Sequence, residues 1–487
     1  MSKVLISHSY FYRLDPKQWR YQQPYPPLGT LQAAAVVRQA EFDVSFFDTG
    51  LSAGPEALVP ILKKEKPDYF ILYDDGFNYL TKMCLLVMRE AAFLMTYHAK
   101  QQGCQVIINS SDSTDHYEHY LQHGVDYVIR GEGEETLVEL LKCLQGTKDP
   151  STVQGVAFQR DTATIVTSPR NVLRDLDALP LPAWDLLDFA SYKSIWGNRY
   201  GYFSMNMATT RGCPYKCNWC AKPIYGNRYN SRSPERVVSE LEMLLHDHQP
   251  DHFWMCDDIF GLKPGWIGQF AKVIKERKLS FRYKIQSRVD LLVHEDTIQL
   301  LAESGCETVW LGAESGSQRI LDLMDKGTTV EQIHRATQLL KQHNIKVAFF
   351  LQFGYPSETR KDIDATLNMV LELMPDEIGI SVSYPLPGTK FYENVKAQLT
   401  EKQNWTDSDD LAMLYQNTYP AAYYKILQRY VHSRYRIQRG VNRLRDFIRK
   451  PTFLLSDVRK IVSMIINLPL SLIHSYRLKQ LSSTNGR

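Results

Sequence analysis

The sequence predicts an α/β protein with two parallel-sheet domains and a helical extension. Short apolar runs alternate with helix-length amphipathic stretches up to about residue 150, the alternation returns near residue 203, and a basic stretch follows residue 420. The 487 residues, 44% hydrophobic and 23% charged, are typical of a folded chain with several domains and exclude a disordered or fibrous class. We predict four segments, 1–150, 151–200, 201–400 and 401–487.

The first segment, 1–150, is predicted to be a doubly wound, flavodoxin-like (Rossmann-type) domain. Its strand candidates are Val4–Ser7, Val44–Phe47, Tyr69–Tyr73, Gln105–Asn109 and Asp126–Ile129. Its helix candidates are 29–40, 56–65, 82–102, 115–123 and 133–145. Sheets of this kind bind ligands at the carboxyl ends of their strands, which here are the turns after Ser7, Tyr73, Asn109 and Arg130.

A connector over 151–200 precedes the second domain. It contains a predicted hairpin, Gly155–Phe158 with Ile165–Ser168, and then Leu179-Pro180-Leu181-Pro182, whose prolines favour extended backbone. Residues 201–400 then show six strand candidates separated by helical stretches, which predicts a partial parallel (β/α)6 barrel. These strands are predicted near 204–209, 252–256, 281–286, 307–312, 346–350 and 378–383.

Charge is distributed unevenly along the chain. The net charge of +3 combines +12 from residue 420 onward, with fourteen basic and two acidic residues, and therefore −9 over residues 1–419. Met1-Ser2-Lys3 leads directly into a strand candidate without a secretory pattern, so we expect a cytoplasmic protein. Cysteines clustered in a reducing compartment indicate metal or redox chemistry more often than disulfides.

Three of the eight cysteines, Cys213, Cys217 and Cys220, fall on one loop directly after the first barrel strand. Three thiolates on a loop can hold a cluster of four irons and leave one iron open for a ligand. Two alternatives remain: a structural zinc, for which the nearest histidines are His246, His248 and His252, and thiols without a metal. The other five cysteines stand alone and are interpreted as buried small residues.

The spacing C-x3-C-x-aromatic-C, with Ser233-Pro234-Glu235-Arg236 after it, resembles the radical S-adenosylmethionine (SAM) enzymes. The resemblance implies that Cys213, Cys217 and Cys220 hold a [4Fe-4S] cluster whose open iron binds SAM. It also implies that an electron, from a donor such as flavodoxin or ferredoxin, cleaves SAM to a 5′-deoxyadenosyl radical.

The same resemblance assigns SAM contacts at the ends of the following strands. Asp257 or Asp258 would face the amine, Arg288 the carboxylate and Glu314 the ribose, while Trp219 matches the aromatic position near the adenine. Many members have Gly-Gly-Glu after the second strand, whereas this chain has Met255-Cys256-Asp257-Asp258, so both aspartates stay candidates. Singly, each charged residue could instead form an ion pair at the barrel mouth.

A doubly wound domain before such a barrel resembles the cobalamin (B12)-binding branch of the family. Predicted cobalamin contacts are Tyr73, Ser110, Ser111, Gly131 and Gly133 at strand ends and turns. The Asp-x-His-x-x-Gly motif that gives cobalt a histidine is missing, as in other members of the branch. A degenerate domain that only docks against the barrel is the alternative.

The tail has an apolar core, Ile461–Ile473, interrupted by Pro469 and flanked by Arg459-Lys460 and Arg477-Lys479. Thirteen residues are too few to span a bilayer, so peripheral membrane contact through 453–479 is predicted, with a basic helix packed on the barrel as the alternative. Nothing resembles a nucleic-acid-binding module, and no nucleic-acid partner is predicted.

Together these features predict a cobalamin-dependent radical SAM enzyme that modifies an unactivated carbon, most simply as a C-methyltransferase. The alternatives are a radical SAM cyclase or oxidoreductase without methyl transfer, and a non-catalytic sensor that binds cobalamin or the cluster. Membrane contact would favour a hydrophobic small-molecule substrate.

Overall fold

The computed structural model describes residues 2–146, 148–449 and 455–483. The strands of the first sheet are β1 (Lys3–Ser7), β2 (Asp43–Phe47), β3 (Tyr69–Tyr73), β4 (Gln105–Asn109), β5 (Tyr127–Ile129), β6 (Val156–Arg160) and β7 (Ala163–Val166). The helices around it are α1 (Pro16–Tyr21), α2 (Leu28–Gln39), α3 (Leu58–Glu65), α4 (Tyr79–Lys82), α5 (Leu86–Gln101), α6 (Ser111–Asp115), α7 (Tyr117–Gln122) and α8 (Glu134–Gln145).

The first sheet has the order β2-β1-β3-β4-β5-β6-β7, and β1 to β5 are parallel. This is the flavodoxin-like order that the sequence predicts. All five residues of the central strand β3 are buried, because helices cover both faces of the sheet. The predicted hairpin, β6 and β7, pairs antiparallel with β5 and so extends this sheet.

Two predicted helices of the first domain are broken in the structure. The stretch 82–102 is divided between α4 and α5, with Cys84 in the left-handed region at φ 53° between them. The stretch 115–123 begins earlier, as α6, whose start is capped by Ser110. Both breaks lie at the sheet edge that faces the second domain.

The second domain is built on six parallel strands. They are β8 (Ser204–Met207), β11 (His252–Met255), β12 (Arg282–Ser287), β13 (Cys306–Glu314), β14 (Lys346–Phe353) and β15 (Glu377–Val382), and a small pair joins β9 (Thr210–Arg211) to β10 (Asn230–Ser231). The helices are α9 (Phe189–Tyr200), α10 (Pro234–His248), α11 (Trp266–Glu276), α12 (Glu295–Glu303), α13 (Gln318–Leu323), α14 (Val330–Gln342), α15 (Arg360–Leu373) and α16 (Lys390–Val395). The sheet order β15-β14-β13-β12-β11-β8 leaves β8 and β15 unpaired with each other, which confirms a partial barrel.

The two domains share a core. Tyr25 and Leu28 of the first domain belong to the same hydrophobic cluster as barrel residues, and Tyr25 hydrogen-bonds to Ser204 at 3.2 Å. The Asn206 amide of β8 donates to the Pro26 carbonyl at 3.0 Å, and the Trp196 indole donates to the Pro24 carbonyl at 2.8 Å. The segment before α2 is therefore fixed to the base of the barrel.

Two long helices end the chain, α17 (Ala421–Arg449) and α18 (Leu455–Ser483). Pro469 lies inside α18, so the expectation that this proline interrupts a 13-residue apolar segment is wrong. Within the described residues, Asp457–Ser483 is the one stretch of helix long and apolar enough to cross a membrane by length and composition. Residues 450–454 and 484–487, which include the start of the predicted 453–479 segment, lie outside the described residues.

Candidate functional site

A cavity of about 230 Å³ lies at the carboxyl ends of the barrel strands, against the edge of the first sheet. The first domain contributes Lys82 and Ser111 to its wall. The barrel contributes the cysteine loop and residues at four strand ends, so one space faces both domains. Its barrel residues include Cys213, Tyr215, Cys217, Trp219, Cys220, Asp258, Gln286, Arg288, Trp310, Glu314, Lys326 and Phe350.

The cysteine loop is held in place at both ends. Gly212, which opens it, has φ 76° and lies so near the Arg228 carbonyl that a Cβ atom would come within 2.4 Å of that oxygen. Farther along, the Asn218 side chain donates to the Leu323 carbonyl at 2.7 Å and accepts from the Tyr355 hydroxyl at 2.9 Å. The loop is thereby fixed to the end of α13 and to the turn after β14.

All three predicted cluster ligands line the cavity, and none forms a disulfide. Burial raises the pKa of the Cys213 thiol and raises that of Cys220 to about 12. Bound iron would bring these thiols to the thiolate form, because a coordinating thiol is deprotonated. Three thiols around an open space fit a cluster with one free iron corner.

The zinc alternative finds no support in the geometry. His246, His248 and His252 are absent from the described lining of the cavity. His252 is buried at the start of β11, where its Nδ1 lies 2.9 Å from the Ser204 hydroxyl. Over the described parts of the chain, no group of three or more His, Cys, Asp or Glu side chains, the three cysteines included, is gathered closely enough to hold a single metal ion. A closed four-ligand zinc site is therefore not formed.

Arg288 reaches the cavity directly after β12. Its Nε donates to Asp290 at 3.0 Å and its Nη2 donates to the same carboxylate at 3.2 Å. The guanidinium carbon lies 3.7 Å from the centre of the Tyr215 ring, and Nη1 is 3.8 Å from Cys217 Sγ. Asp290 and Tyr215 thus orient the guanidinium with Nη1 toward the cysteine loop, which suits a carboxylate bound beside the cluster.

Glu314, at the end of β13, projects into the cavity because the strand is irregular there. The register with β14 shifts between Gly312 and Glu314, and Glu314 has φ 59°. Its carboxylate accepts from Lys326 Nζ at 2.8 Å, and both side chains are only 7% exposed. Burial alone would lower the pKa of Lys326, but the Glu314 carboxylate outweighs it, and the net effect is a raised pKa.

The structure separates the two aspartates that the sequence leaves as alternatives. Asp257 is fully buried and accepts from the Thr209 and Thr210 amides at 2.6 and 2.7 Å and from the Thr209 hydroxyl at 2.8 Å. Burial raises its pKa to about 6, although these donors lower it. Asp258 lines the cavity and pairs with Lys82 at 2.7 Å. Asp257 holds the strand-end turn, so only Asp258 is placed to contact a ligand.

Trp219 also lines the cavity, with its ring centre 5.9 Å from Lys326 Nζ. Its indole Nε1 is buried and has no hydrogen-bond partner among the described residues. A buried donor without a partner is uncommon and indicates a place for a polar ligand atom. The donor set of Arg288, Lys326 and Trp219, with the Asp258 and Glu314 carboxylates, fits the amino-acid and nucleoside parts of SAM.

Of the five residues predicted to contact cobalamin, only Ser111 lines this cavity. Ser110 is occupied as the cap of α6, where its hydroxyl accepts from the Ser113 amide at 2.8 Å. Gly133 packs against Tyr73 so closely that a Cβ atom would lie 2.9 Å from the Tyr73 ring. Gly131 lies near the Ile224 carbonyl of the barrel. Tyr73, Ser110, Gly131 and Gly133 therefore face protein.

The part of the sheet edge that remains available to cobalamin is the wall made by Ser111 and Lys82. Their hydroxyl and ammonium donors suit the amide oxygens around a corrin ring. His8, which follows β1, is buried and held by Asp48 at 3.1 Å and by Thr49 at 3.0 Å. His8 is therefore not placed as a cobalt ligand.

The turn that contains Gly131 and Gly133 has another role. The carboxylates of Glu132 and Glu134 both accept from Arg211, at 2.5 and 2.7 Å, and all three side chains are at most 6% exposed. Arg211 immediately precedes Gly212 and the cysteine loop. The first domain thus binds Arg211, which lies two residues before the first cluster ligand.

Sequence reasoning missed four residues of the site: Lys82, Arg211, Tyr215 and Lys326. Arg211 had a usable signal, because it directly precedes the cysteine loop. Lys326 is buried at 7% exposure, and a buried lysine requires a nearby charge, but its burial cannot be read from the sequence. Lys82 reaches the cavity only because the predicted helix 82–102 is broken.

The chain is similar to known proteins in sequence and in fold. The family model for the Radical SAM superfamily matches residues 207–370. The chain is 29% identical over 386 residues to an uncharacterized methyltransferase of Pyrococcus horikoshii, covering 78% of this chain and 81% of that protein. It is 26% identical over 374 residues to the anaerobic magnesium-protoporphyrin IX monomethyl ester cyclase of Synechocystis, covering 76% and 73%.

Among solved structures, the cobalamin-dependent SAM radical enzyme OxsB, with aqua-cobalamin and SAM bound, superposes with a TM-score of 0.74 at 16% identity. The match covers 98% of this chain and 72% of that chain. The similarity therefore includes the first domain as well as the barrel.

Proposed function

We propose that the chain is a cobalamin-dependent radical SAM enzyme, because residues 207–370 match the Radical SAM superfamily model and the fold of both domains is similar to that of OxsB. Its reaction is the modification of an unactivated carbon, with C-methylation as the favoured outcome. The carrying observation is that three cysteines of one loop share a single cavity with Arg288 and Glu314.

When bound, the cluster and SAM supply a carbon-centred radical, and cobalamin supplies a methyl group. The protein binds and orients these groups. The thiols of Cys213, Cys217 and Cys220 hold the cluster, and Arg288, fixed by Asp290, orients the SAM carboxylate. Ser111 and Lys82 would present donors to cobalamin from the part of the cavity wall that the first domain contributes.

The substrate side of the cavity supports a hydrophobic small molecule. The rings of Trp310 and Phe350 lie 4.6 Å apart, and Phe350, although apolar, is 36% exposed. Ile224 and Ile259 also line the cavity. These side chains exclude water from a radical site and leave a flat apolar surface for a substrate.

The proposal places the enzyme in the cytoplasm, with flavodoxin or ferredoxin as the class of electron donor. No nucleic-acid partner is proposed.

The central experiment measures SAM cleavage. Anaerobically reconstituted protein, supplied with SAM and dithionite, is expected to release 5′-deoxyadenosine. The Cys213→Ala/Cys217→Ala/Cys220→Ala variant is expected to release none, whereas Cys143→Ala, which removes a buried thiol of α8 outside the cavity, retains activity. Equal release by the triple variant would overturn the proposal.

Two further measurements separate the reaction types. Release of S-adenosylhomocysteine together with 5′-deoxyadenosine identifies methyl transfer, whereas 5′-deoxyadenosine alone identifies the cyclase or oxidoreductase alternative. Visible spectra with hydroxocobalamin test the first domain, and we expect Lys82→Ala/Ser111→Ala to weaken that binding. A protein that binds SAM or cobalamin and cleaves no SAM is the sensor alternative.

A further inference from the structure

The last two helices form a hairpin that is attached to the protein at one end. At the start of α17, Tyr423 and Val431 are buried in the barrel core, and Tyr435 donates to the Pro375 carbonyl at 2.6 Å. At the end of α18, Leu478 returns to the same core with no exposed surface. Near the other end, Ile448 is 82% exposed. The hairpin therefore projects from the body.

The face of α18 that packs on α17 is largely polar. Asp457 accepts from Arg443 at 2.6 Å, and the His474 ring lies 3.4 Å from the Ser433 hydroxyl. Asn467 and Ser471 are buried along the same face, at 5% and 7% exposure. Between its charged ends, this helix thus turns Asn467 and Ser471 inward.

Nine of its apolar side chains point outward. They are Val458, Val462, Ile465, Ile466, Leu468, Leu470, Leu472, Ile473 and Tyr476, with exposures from 39% to 75%. A helix on a water-facing surface ordinarily buries its apolar side, and a continuous exposed apolar surface of this kind indicates a binding site.

Charge identifies the occupant. The two helices carry twelve basic and two acidic residues, a net charge of +10. A second copy of the same basic hairpin would be repelled, whereas a surface of anionic lipid attracts it. Arg459 and Lys460 precede the apolar stretch and Arg477 and Lys479 follow it, as in helices that lie at a membrane interface.

We propose that the α17–α18 hairpin docks the protein on an anionic membrane surface. The outward face of α18 enters the boundary between lipid headgroups and acyl chains, and α17 remains beside it at headgroup level. This inference stands apart from the proposed function, because it uses none of the residues of the cavity.

The same contacts argue against a membrane-spanning α18, although its length and composition allow one. The helix packs along α17 through Asp457, Asn467 and His474. Insertion across the bilayer would take α17, with eight basic residues, or these polar groups into hydrocarbon. Charged side chains at that depth are strongly unfavourable.

The test is flotation of the full chain with preformed vesicles. Binding to vesicles of phosphatidylcholine with phosphatidylglycerol is expected to exceed binding to phosphatidylcholine alone by at least about tenfold. Ile465→Glu/Leu472→Glu is expected to lose at least about tenfold of it. The matched control Val166→Glu, at an exposed apolar position of β7, should bind as the unchanged chain does.

Several results would overturn the proposal: no flotation with anionic vesicles, equal flotation of the double variant, or binding to RNA in place of vesicles. Sedimentation showing a dimer that Ile465→Glu/Leu472→Glu dissolves would assign the face to a second copy instead. Retention after an alkaline carbonate wash would show a spanning helix. Release of 5′-deoxyadenosine by Ile465→Glu/Leu472→Glu would show that SAM cleavage does not depend on membrane docking. Failure of the docking proposal and failure of the proposed function are then distinguishable.

Discussion

Arg211 Nη2 donates to Glu134 Oε1 at 2.7 Å across the boundary between the two domains, in a site closed to solvent. The same guanidinium binds Glu132, and its carbon lies 5.3 Å from the centre of the Tyr225 ring. One side chain thereby joins the turn after β5 to the start of the cysteine loop.

Arg211→Met is expected to lower the free energy of unfolding by about 3–5 kcal/mol, because two buried carboxylates lose their counter-charge. The control Arg38→Met breaks the exposed pair with Asp185 and is expected to cost at most about 1 kcal/mol. Urea unfolding measures both. Equal losses of unfolding free energy in the two variants would show that Arg211 does not hold the two domains together. Iron content after reconstitution should fall only in Arg211→Met.

The two aspartates after β11 are expected to give opposite phenotypes. Asp257→Ala removes the acceptor of three hydrogen bonds and is expected to cost at least about 2 kcal/mol of stability. Asp258→Ala, at a partly exposed ion pair, is expected to cost less than about 1 kcal/mol and to weaken SAM binding. Urea unfolding and equilibrium dialysis with SAM measure the two effects, and weaker SAM binding in a stable Asp257→Ala variant would reverse the assignment.

Lys326→Met is expected to weaken SAM binding by about tenfold or more, because Glu314 loses the cation that orients its carboxylate in the cavity. The control Lys346→Met removes an exposed lysine that pairs with Glu307. Lys346 is the first residue of β14, so it lies at the end of the barrel away from the cavity. Equilibrium dialysis with SAM measures the change, and thermal unfolding checks the fold. An unchanged SAM affinity in a folded Lys326→Met protein would remove Lys326 from the site.

Glu358 makes stability depend on pH. It is fully buried, accepts from the Gly354 amide at 2.7 Å, and leaves Oε1 without a partner among the described residues. Burial raises its pKa to about 8, although the Gly354 amide lowers it. The folded state therefore binds more protons than the unfolded state between about pH 4.5 and 8, and stability falls as pH rises through that window.

Glu358→Gln is expected to remove this dependence, which amounts to as much as about 4 kcal/mol between the ends of the window. Urea unfolding from pH 5 to 9 measures the free energy of unfolding of both proteins. As the pH rises, the unchanged chain should steadily lose stability relative to the variant. Parallel pH profiles would show that the carboxyl group is already charged in the folded state.

The sequence predicted the sheets better than the helices at the interface. The strands β3 and β4 have the predicted bounds, because each has a short, β-branched or aromatic apolar centre that is bounded by turns. The break at Cys84 and the early start of α6 were missed because capping and contacts with the barrel outweigh helical periodicity there. In the tail, proline is expected to interrupt a helix at Pro469, because it lacks a backbone donor. The helix α18 nevertheless continues through Pro469, where it packs along α17.

The candidate site divides in the same way. Cysteine spacing indicated the three thiols, and the family resemblance indicated Arg288 and Glu314, and all five residues line the cavity. Glycine content indicated Gly131 and Gly133, but the Cβ space at Gly133 is filled by Tyr73. A glycine pattern reports close approach of backbone to something, and only the fold decides whether that partner is a ligand or the protein itself.

The contacts of the cysteine loop with the first domain have an evolutionary consequence. Arg211 before the loop meets Glu132 and Glu134, and Tyr225 after it lies 5.5 Å from the Phe77 ring, centre to centre. A descendant that no longer used its first domain to bind a cofactor would still need that domain to shape the loop. Selection would therefore retain both domains together. Exchange of first domains between relatives would succeed only where the incoming domain has both glutamates and the barrel has the arginine.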